Sequence, residues 1–243
     1  MTERVLFLED IREALGITSP QERSFEQFPS LFSRPDDAGT RALISQRSAE
    51  ERQALLERFK ENGAEIRLQV HLAADHGAAA EIVADIARGA EPEFGTDRQL
   101  IQHENQELAA LNLAERLAGD GVAVHTVNPR DPEARNKTIA SYIGLTAADW
   151  GIAESATVVQ VTEPGKARST SLVPSIHIAL LPVERIVADL GELRALLQDC
   201  PPASSYVFIS GPSKTGDIES ILVYGAHGPR EMHVIVLTGK QNG

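Results

Sequence analysis

The chain alternates between helical and strand-like hydrophobic patterns along most of its length. Val5, Leu8, Ile11 and Leu15 recur at helical spacing, and Gly16 is expected to end that first helix. Beyond residue 64, short apolar runs alternate with amphipathic segments. This alternation predicts an α/β fold with a mostly parallel sheet in three layers, helices covering both faces.

The pattern also predicts where individual elements begin and end. Ser48 should cap a helix from Ala49 that Asn62 and Gly63 stop, and Asp75 should cap a helix ending at Gly89. Residues 90–104 are polar and fit neither pattern. Further helices are predicted near 108–117, 133–141 and 189–198, and strands at 66–70, 122–127, 142–145, 156–162, 172–181, 205–210, 218–224 and 231–238.

Two domains follow from this pattern: an N-terminal helical cap over 1–63 and an α/β domain over 64–243. Within the cap, residues 18–40 contain three prolines and several aromatic residues. This segment is interpreted as a loop whose aromatic side chains pack onto the body, or alternatively as an arm that binds a partner.

Composition narrows the possible functions. The formal net charge of −12 and the sequence pI of about 5.0 argue against a surface for nucleic acid or anionic membrane, since both need clustered Lys and Arg. Cys200 is the only cysteine, so the chain has too few thiols for a disulfide, a multi-cysteine zinc site or an iron–sulfur cluster. The first residues lack a secretory pattern, and no apolar run approaches ~20 residues. We therefore expect a cytoplasmic protein without a membrane span.

Two polar loops in the last third concentrate residues that can bind a ligand. The first, Ser210–Glu219, follows the apolar run 206–209, and the second, Gly225–Arg230, precedes the run 232–237. The first loop lacks the phosphate-binding pattern of nucleotide hydrolases, but its hydroxyl groups and Lys214 could form a looser anion cradle. The expected ligand-binding residues are Ser210, Gly211, Ser213, Thr215, Asp217, Glu219, His227 and Arg230.

Structural roles remain open for several of these residues. Ser213 and Thr215 could stabilise a turn that Asp217 caps, and His227 could simply bond the neighbouring loop. Arg230 has the planar fork that grips a carboxylate or phosphate. Because ligands bind outside the carboxyl ends of parallel strands, these loops and the turn that contains Glu154 are expected to converge there.

A third feature is Glu154, in a turn before the apolar run 156–161. Its carboxylate could act as a base, a nucleophile or an orienting group, or it could only cap the turn or form a salt bridge. The sequence contains neither a dinucleotide-binding glycine fingerprint nor a nucleophile elbow, so no cofactor is expected.

Four stretches together resemble the lactate-utilisation protein C family, within the larger LUD family. They are Gly144–Thr157, Ser171–Ala179, Ser210–Ser213 with Asp217–Glu219, and His227–Arg230. The family usually has glycine where this chain has Ala156, which suggests a less extreme backbone there. The resemblance implies a fold like that of ribose-phosphate isomerase, glucosamine-phosphate deaminase and the CoA-transferases. It also implies a role in oxidising L-lactate to pyruvate beside two partner proteins that carry iron–sulfur clusters.

Three hypotheses follow. The chain is a non-redox subunit or accessory protein of a lactate-oxidising system and binds a small carboxylate or phosphorylated ligand at its C-terminal loops. Alternatively, it is a free-standing enzyme of the isomerase or acyl/CoA-transfer type in which Glu154 acts. The third possibility is a ligand-sensing module without chemistry.

Overall fold

Six parallel strands form the main sheet, and a second, smaller sheet packs beside it. The computed structural model describes residues 3–16, 35–93, 95–200, 203–216 and 223–239. In chain order, the described strands are β1 (Gln69–Ala73), β2 (Arg98–Gln102), β3 (Val122–Thr126), β4 (Ile143–Ala147), β5 (Trp150–Ile152), β6 (Thr157–Val161), β7 (Ile176–Pro182), β8 (Ile186–Val187), β9 (Tyr206–Ile209), β10 (Lys214–Thr215), β11 (Val223–Tyr224) and β12 (Glu231–Leu237). The main sheet has the order β1-β12-β7-β4-β2-β3, and the second sheet has the order β8-β5-β6-β9.

Helices connect these strands. In chain order they are α1 (Glu3–Ala14), α2 (Asp37–Ser45), α3 (Ala49–Glu65), α4 (His76–Gly89), α5 (Gln106–Ala109), α6 (Leu113–Arg116), α7 (Ala134–Ala140), α8 (Ser169–Leu172) and α9 (Leu190–Leu197). Short 3₁₀ turns occupy Ala118–Asp120, Ala153–Ser155 and Val183–Arg185. Among the helices of these described ranges, none has the length and apolar content to cross a bilayer.

Contacts divide the chain into two units, Met1–Asp36 and Asp37–Gly243. In the first unit, α1 ends before Gly16, whose φ of +68° supports the predicted stop. Most of the predicted proline-rich and aromatic loop falls at 17–34, outside the described residues. In the second unit, α2 is anchored to α9 by a salt bridge between Asp37 and Arg194.

The prediction of an α/β fold with a mostly parallel sheet is confirmed. One face of the main sheet packs against α4, α5 and α6, where side chains such as Val83, Leu108 and Leu117 are fully buried. The opposite face packs against α3 through Leu56 and Phe59, and against residues of the second sheet. Strands β4 and β7 are buried along their whole length, as expected for central strands covered on both faces.

Several helix boundaries match the sequence, and their caps show why. Asp75 accepts a hydrogen bond from Ala78 N at the start of α4, and Ser48 and Glu51 form a capping box at the start of α3. The predicted end of α3 is wrong: the helix continues through Asn62 and Gly63 to Glu65. Gly63 is buried there against Leu68 and Val70, so in this helix it serves close packing rather than termination.

Other expectations needed correction. Strand β2 lies within the region that showed no pattern, and the predicted helix near 108–117 is two short helices. The strand predicted from residue 172 begins only at Ile176, because α8 occupies the preceding residues. Ala156 adopts a left-handed backbone with φ of +47°, so the expectation of a less extreme conformation was wrong. A left-handed backbone costs an alanine roughly 1 kcal/mol, and the fully buried Ala156 adopts it in the folded protein.

Candidate functional site

A chain of hydroxyl groups connects the turn after β5 with the loop after β9. Thr157 Oγ1 lies 2.7 Å from Ser155 Oγ and 2.6 Å from Ser210 Oγ. Thr157 begins β6, and β6 pairs antiparallel with β9 so that Val158 faces Ile209. The register therefore places Ser210 beside Thr157, and the buried threonine holds the start of the loop.

The loops that contain Ser213 and His227 lie side by side, as predicted. Ser213 N donates to Pro229 O at 2.8 Å, and Gly225 N donates to Ser213 O at 3.1 Å. Gly211 has a φ of +78°, and a Cβ at this position would lie 2.8 Å from Ile66 O. Only glycine fits that backbone without strain, so residue 211 fixes the course of the loop.

These two loops and α8 enclose a cleft of about 950 Å³, called the serine-rich cleft below. Its polar lining residues are four serines, Tyr206, Arg168 and His227. The lining residues are Arg168, Ser169, Ser171, Leu172, Tyr206, Val207, Phe208, Ile209, Ser210, Gly211, Ser213, His227, Gly228 and Pro229. None of these described lining residues is acidic, although the whole chain has a net charge of −12. An Arg and several hydroxyl donors without a competing carboxylate favour an anionic ligand.

The cleft does not lie where the strand rule predicted. Strand β9 belongs to the second sheet, and the loop around His227 leads into the amino end of β12 in the main sheet. Arg230 N and Glu231 N both donate to Ser175 O, which precedes β7. The loops therefore converge through contacts between the two sheets and not at the carboxyl ends of the parallel strands.

The cleft includes some of the predicted residues and leaves others out. Ser210, Gly211, Ser213 and His227 line it. Thr215 pairs with Val223 in a small antiparallel ribbon and is not part of the lining. Asp217 and Glu219 lie outside the described residues. The half-exposed side chain of Arg230 also lies outside the lining, with its Nε 3.5 Å from Glu231 Oε1.

Glu154 likewise lies outside the lining of the cleft. Its carboxylate is largely exposed, and Oε1 lies 3.6 Å from Nη2 of Arg58 in α3. Its backbone carbonyl accepts a hydrogen bond from Asn62 Nδ2, and its backbone N–H donates to Ala188 O. These contacts fit the predicted salt-bridged turn, and the catalytic role of Glu154 stays a prediction.

Arg168 and Ser169 are residues that the sequence did not single out. They flank the start of α8, whose position is set by close packing against β4. A Cβ on Gly144 of β4 would overlap the carbonyl oxygen of Thr170. The only sequence signal was the stretch Ser171–Ala179, which begins two residues too late to include Ser169.

A buried polar cluster lies between the two sheets. His177 Nε2 lies 2.9 Å from Thr146 Oγ1, and Gln160 Nε2 donates to the same hydroxyl group. Burial lowers the pKa of His177 to about 3, and the pKa of nearby His103 to about 4. Both histidines are therefore neutral near pH 7. Within the described residues, no set of three or more His, Cys, Asp or Glu side chains is placed to share a metal ion.

A family model for the LUD domain matches residues 56–237, which is more than half of the chain. The chain belongs to the LUD domain family. The matched range contains every residue that lines the cleft.

Among relatives of this LUD domain protein, lactate utilization protein C from Exiguobacterium sp. is 45% identical over 112 residues, covering 43% of this chain and 49% of the relative. The protein of the same name from Halalkalibacterium halodurans is 43% identical over 101 residues, covering 39% and 44%. An uncharacterized protein from Neisseria meningitidis is 35% identical over 97 residues, covering 39% and 41%. The chain thus spans less than half the length of these curated relatives.

A solved structure supports the fold of the LUD domain. The crystal structure of a DUF162 family protein from Deinococcus radiodurans superposes with a TM-score of 0.52 at 20% identity, covering 77% of this chain and 98% of that protein. At this identity the likeness concerns the fold alone.

Proposed function

We propose that this LUD domain protein takes part in lactate utilisation as a non-redox subunit or accessory protein, and that it binds a small anionic ligand in the cleft between α8 and the two loops. The names of its relatives from Exiguobacterium and Halalkalibacterium support the first part. The chemistry of the cleft supports the second. The ligand class is a small carboxylate or a phosphorylated compound.

The observation that carries this proposal is the absence of acidic groups from the described lining of the cleft. Arg168 is exposed there, and its guanidinium can hold a carboxylate or phosphate with two parallel hydrogen bonds. Its side chain has no carboxylate partner among the described residues, so its charge is available to a ligand. A volume of about 950 Å³ fits the upper range of small-molecule sites.

Serine hydroxyl groups would supply the remaining hydrogen bonds. Ser169 and Ser213 line the cleft, and their hydroxyls have no partner in the described part of the chain. Ser171 is already committed, since its Oγ donates to Arg168 O at 3.1 Å. A bound anion would therefore be contacted by Arg168 and by hydroxyl groups from both walls.

Electron transfer is assigned to partners. Cys200 is the only thiol in the chain, and iron–sulfur clusters in proteins are usually held by several cysteines. The resemblance to the lactate-utilisation protein C family implies separate subunits that carry iron–sulfur clusters, and the proposed system includes them. Purified protein should not oxidise L-lactate alone, and activity should appear when those subunits are added.

Calorimetric titration tests the binding site directly. Wild-type protein is titrated with L-lactate, pyruvate and inorganic phosphate, and the same is done with Arg168→Gln and the control Arg130→Gln. Arg130 is also exposed but does not line this cleft. We expect Arg168→Gln to weaken the best anion by about tenfold, the effect of losing a charged hydrogen bond. An equal loss in both variants, or no binding of any of the three anions to wild type, would reject the site.

The alternative of an isomerase or acyl-transfer enzyme depends on Glu154. The Glu154 side chain does not line the cleft, whereas Arg58 pairs with it directly. We therefore expect Glu154→Gln to leave anion binding unchanged. A turnover with sugar phosphates or acyl thioesters that this variant loses would favour the alternative, and binding without turnover would favour a ligand-sensing module.

A further inference from the structure

A second cavity, of about 510 Å³, lies at the carboxyl ends of β2 and β3. Its walls are α7, the loop between β3 and α7, and the segment from Glu163 to Val173. Of the predicted ligand-binding residues that the structure describes, none lines it. Within the described ranges, Ser169 is the only residue that lines both this cavity and the serine-rich cleft, so α8 contributes to the walls of both.

Sheet topology singles out this position. From β2 the chain moves outward to β3 at the sheet edge, whereas from β4 it moves the opposite way, to β7 and then β12. Because β2 and β4 are neighbours, the strand order reverses between them. In open parallel sheets, ligands bind outside the carboxyl ends of strands at such a reversal. The strand-end rule, which does not hold for the serine-rich cleft, thus points to this second cavity.

Hydrogen bonds hold the walls of the cavity in place. Glu104 N, just after β2, donates to Gly165 O at 2.9 Å, and His103 Nε2 lies 3.2 Å from Ala167 O. On the other side, Val127 N donates to Gln102 O at 2.8 Å. The loop after β2 therefore fixes both flanking segments of the cavity wall.

Most of the lining is apolar. Ile101, Val127, Pro129, Pro164 and Val173 all line the cavity. On its rim, Val173 is 47% exposed and Ile139 of α7 is 61% exposed. These side chains leave apolar surface in contact with water, which an apolar ligand would cover.

Among the described charged residues on the rim, one cation has no carboxylate partner. Asp131 Oδ2 lies 2.6 Å from Lys137 Nζ, and Glu163 Oε1 lies 2.6 Å from Lys166 Nζ, so both carboxylates are already paired. Arg135 of α7 lines the cavity, and its guanidinium has no carboxylate partner within the described ranges. Arg135 is therefore the group on this rim that is free to meet an anionic ligand.

We infer that this cavity is a second binding site, for a monoanion with an apolar body the size of an aromatic ring or a short acyl chain. The apolar body lies against Ile101, Val127 and Val173, and the carboxylate faces Arg135. This site is separate from the anion site in the serine-rich cleft and differs from it in requiring an apolar group.

The test uses phenylacetate as the probe, with acetate and benzyl alcohol as comparisons. Acetate keeps the charge without the ring, and benzyl alcohol keeps the ring without the charge. Each is titrated into the 243-residue protein by calorimetry, and ligand-observed NMR confirms contact. We expect saturable binding of phenylacetate, with both comparison compounds weaker by at least about fivefold.

Matched variants locate the site. Ala134 lines the cavity on the first turn of α7, and Ala134→Leu fills it, whereas Ala140→Leu makes the same change at an exposed position outside it. Arg135→Gln removes the rim charge, with Arg130→Gln as control. We expect Ala134→Leu to weaken phenylacetate binding by at least about tenfold and Arg135→Gln to weaken it by at least about threefold. Both control variants should bind phenylacetate like wild type. If circular dichroism shows that Ala134→Leu does not fold, Arg135→Gln and the two comparison compounds still decide.

Four outcomes overturn the inference. They are no saturable binding of phenylacetate, equal binding of benzyl alcohol, unchanged binding in Arg135→Gln, and loss of binding in Arg168→Gln. The last would place phenylacetate in the serine-rich cleft. Because Arg168→Gln is expected to leave phenylacetate unaffected, failure here is distinguishable from failure of the proposed anion site.

Discussion

Thr157 Oγ1 and Ser210 Oγ lie 2.6 Å apart and share a hydrogen bond across the β6–β9 pair. The threonine is buried, whereas the serine is exposed at the mouth of the serine-rich cleft. A buried residue of the second sheet thus determines where a hydroxyl group of the cleft lies. Through Ser155 Oγ, the bond also connects the turn at Ala153–Ser155 to the loop after β9.

Replacing Thr157 by valine should loosen this loop. The variant keeps the shape of the side chain but loses the hydroxyl, at an expected cost of about 1 kcal/mol in unfolding free energy. Thr157→Ser keeps the hydroxyl and loses one buried methyl group, at a similar cost of about 0.8 kcal/mol. Amide hydrogen exchange separates the two: Gly211 and Ser213 should exchange faster in Thr157→Val alone. Equal exchange in both variants would show that the hydrogen bond does not order the loop.

Adding a single methyl group at Gly144 should be strongly destabilising. Its Cβ would overlap the Thr170 carbonyl, and α8 would have to move away from β4. We expect a loss of at least about 2 kcal/mol in urea unfolding, the range for an overpacked core. Gly89→Ala is the matched control, since no atom lies within 4 Å of the added Cβ and Gly89 ends α4. A Gly144→Ala variant as stable as this control would contradict the described packing of α8.

Buried histidines should make the protein less stable as the pH falls. Burial lowers the pKa of His177 to about 3, and that of His103 and His233 to about 4. Unfolded histidines titrate near 6.5, so between about 6.5 and 4 the unfolded chain binds more protons than the folded chain. The stabilisation is complete above this window and is lost on acidification. Each of these histidines should lower the unfolding free energy by about 2 kcal/mol when the pH falls from about 7 to about 5.

Urea unfolding at these two pH values measures the effect, and His177→Gln should reduce the difference between them. Carboxylates with a lowered pKa, such as Glu51 and Asp131, titrate below this window and do not confuse the comparison. Equal unfolding free energies at both pH values would contradict the prediction.

Lysine in place of Arg230 should hardly affect anion binding. Arg230 is paired with Glu231 and lies outside the lining, whereas Arg168 lies within it. We expect Arg230→Lys to change the affinity by less than about twofold, and Arg168→Lys to weaken it by about fivefold, because lysine lacks the bidentate fork. Titration of both variants with the same anion gives the comparison. A larger loss of affinity in Arg230→Lys than in Arg168→Lys would instead support Arg230 as the ligand-binding residue.

Local signals in the sequence were sufficient to predict the α/β class and most helix starts. The caps Ser48 and Asp75 act on their own turn, so their effect can be read from neighbouring residues. Strand β2 was missed because its sequence, Arg98–Gln102, does not alternate. Its burial comes from β3 and β4 on either side, which no local pattern reveals.

Sequence reasoning predicted which loops would meet but not where in the fold. The contact between Ser213 and Pro229 agrees with the expectation that the two polar loops converge. The position of β9 in a second sheet depends on its pairing with β6, about 50 residues earlier in the chain. For the same reason Arg168 was missed, since only tertiary packing brings α8 to the cleft.

Because Gly144 lets α8 sit directly on β4, one turn of helix separates two spaces that a ligand could fill. Their dimensions are consequently not independent: a mutation that shifts α8 reshapes both at once. The same dependence would apply to occupancy. If a molecule in one space displaces α8, thermodynamic reciprocity requires a molecule in the other to alter the first affinity by the same factor. Gly144 would then determine how strongly binding in one space changes the affinity of the other.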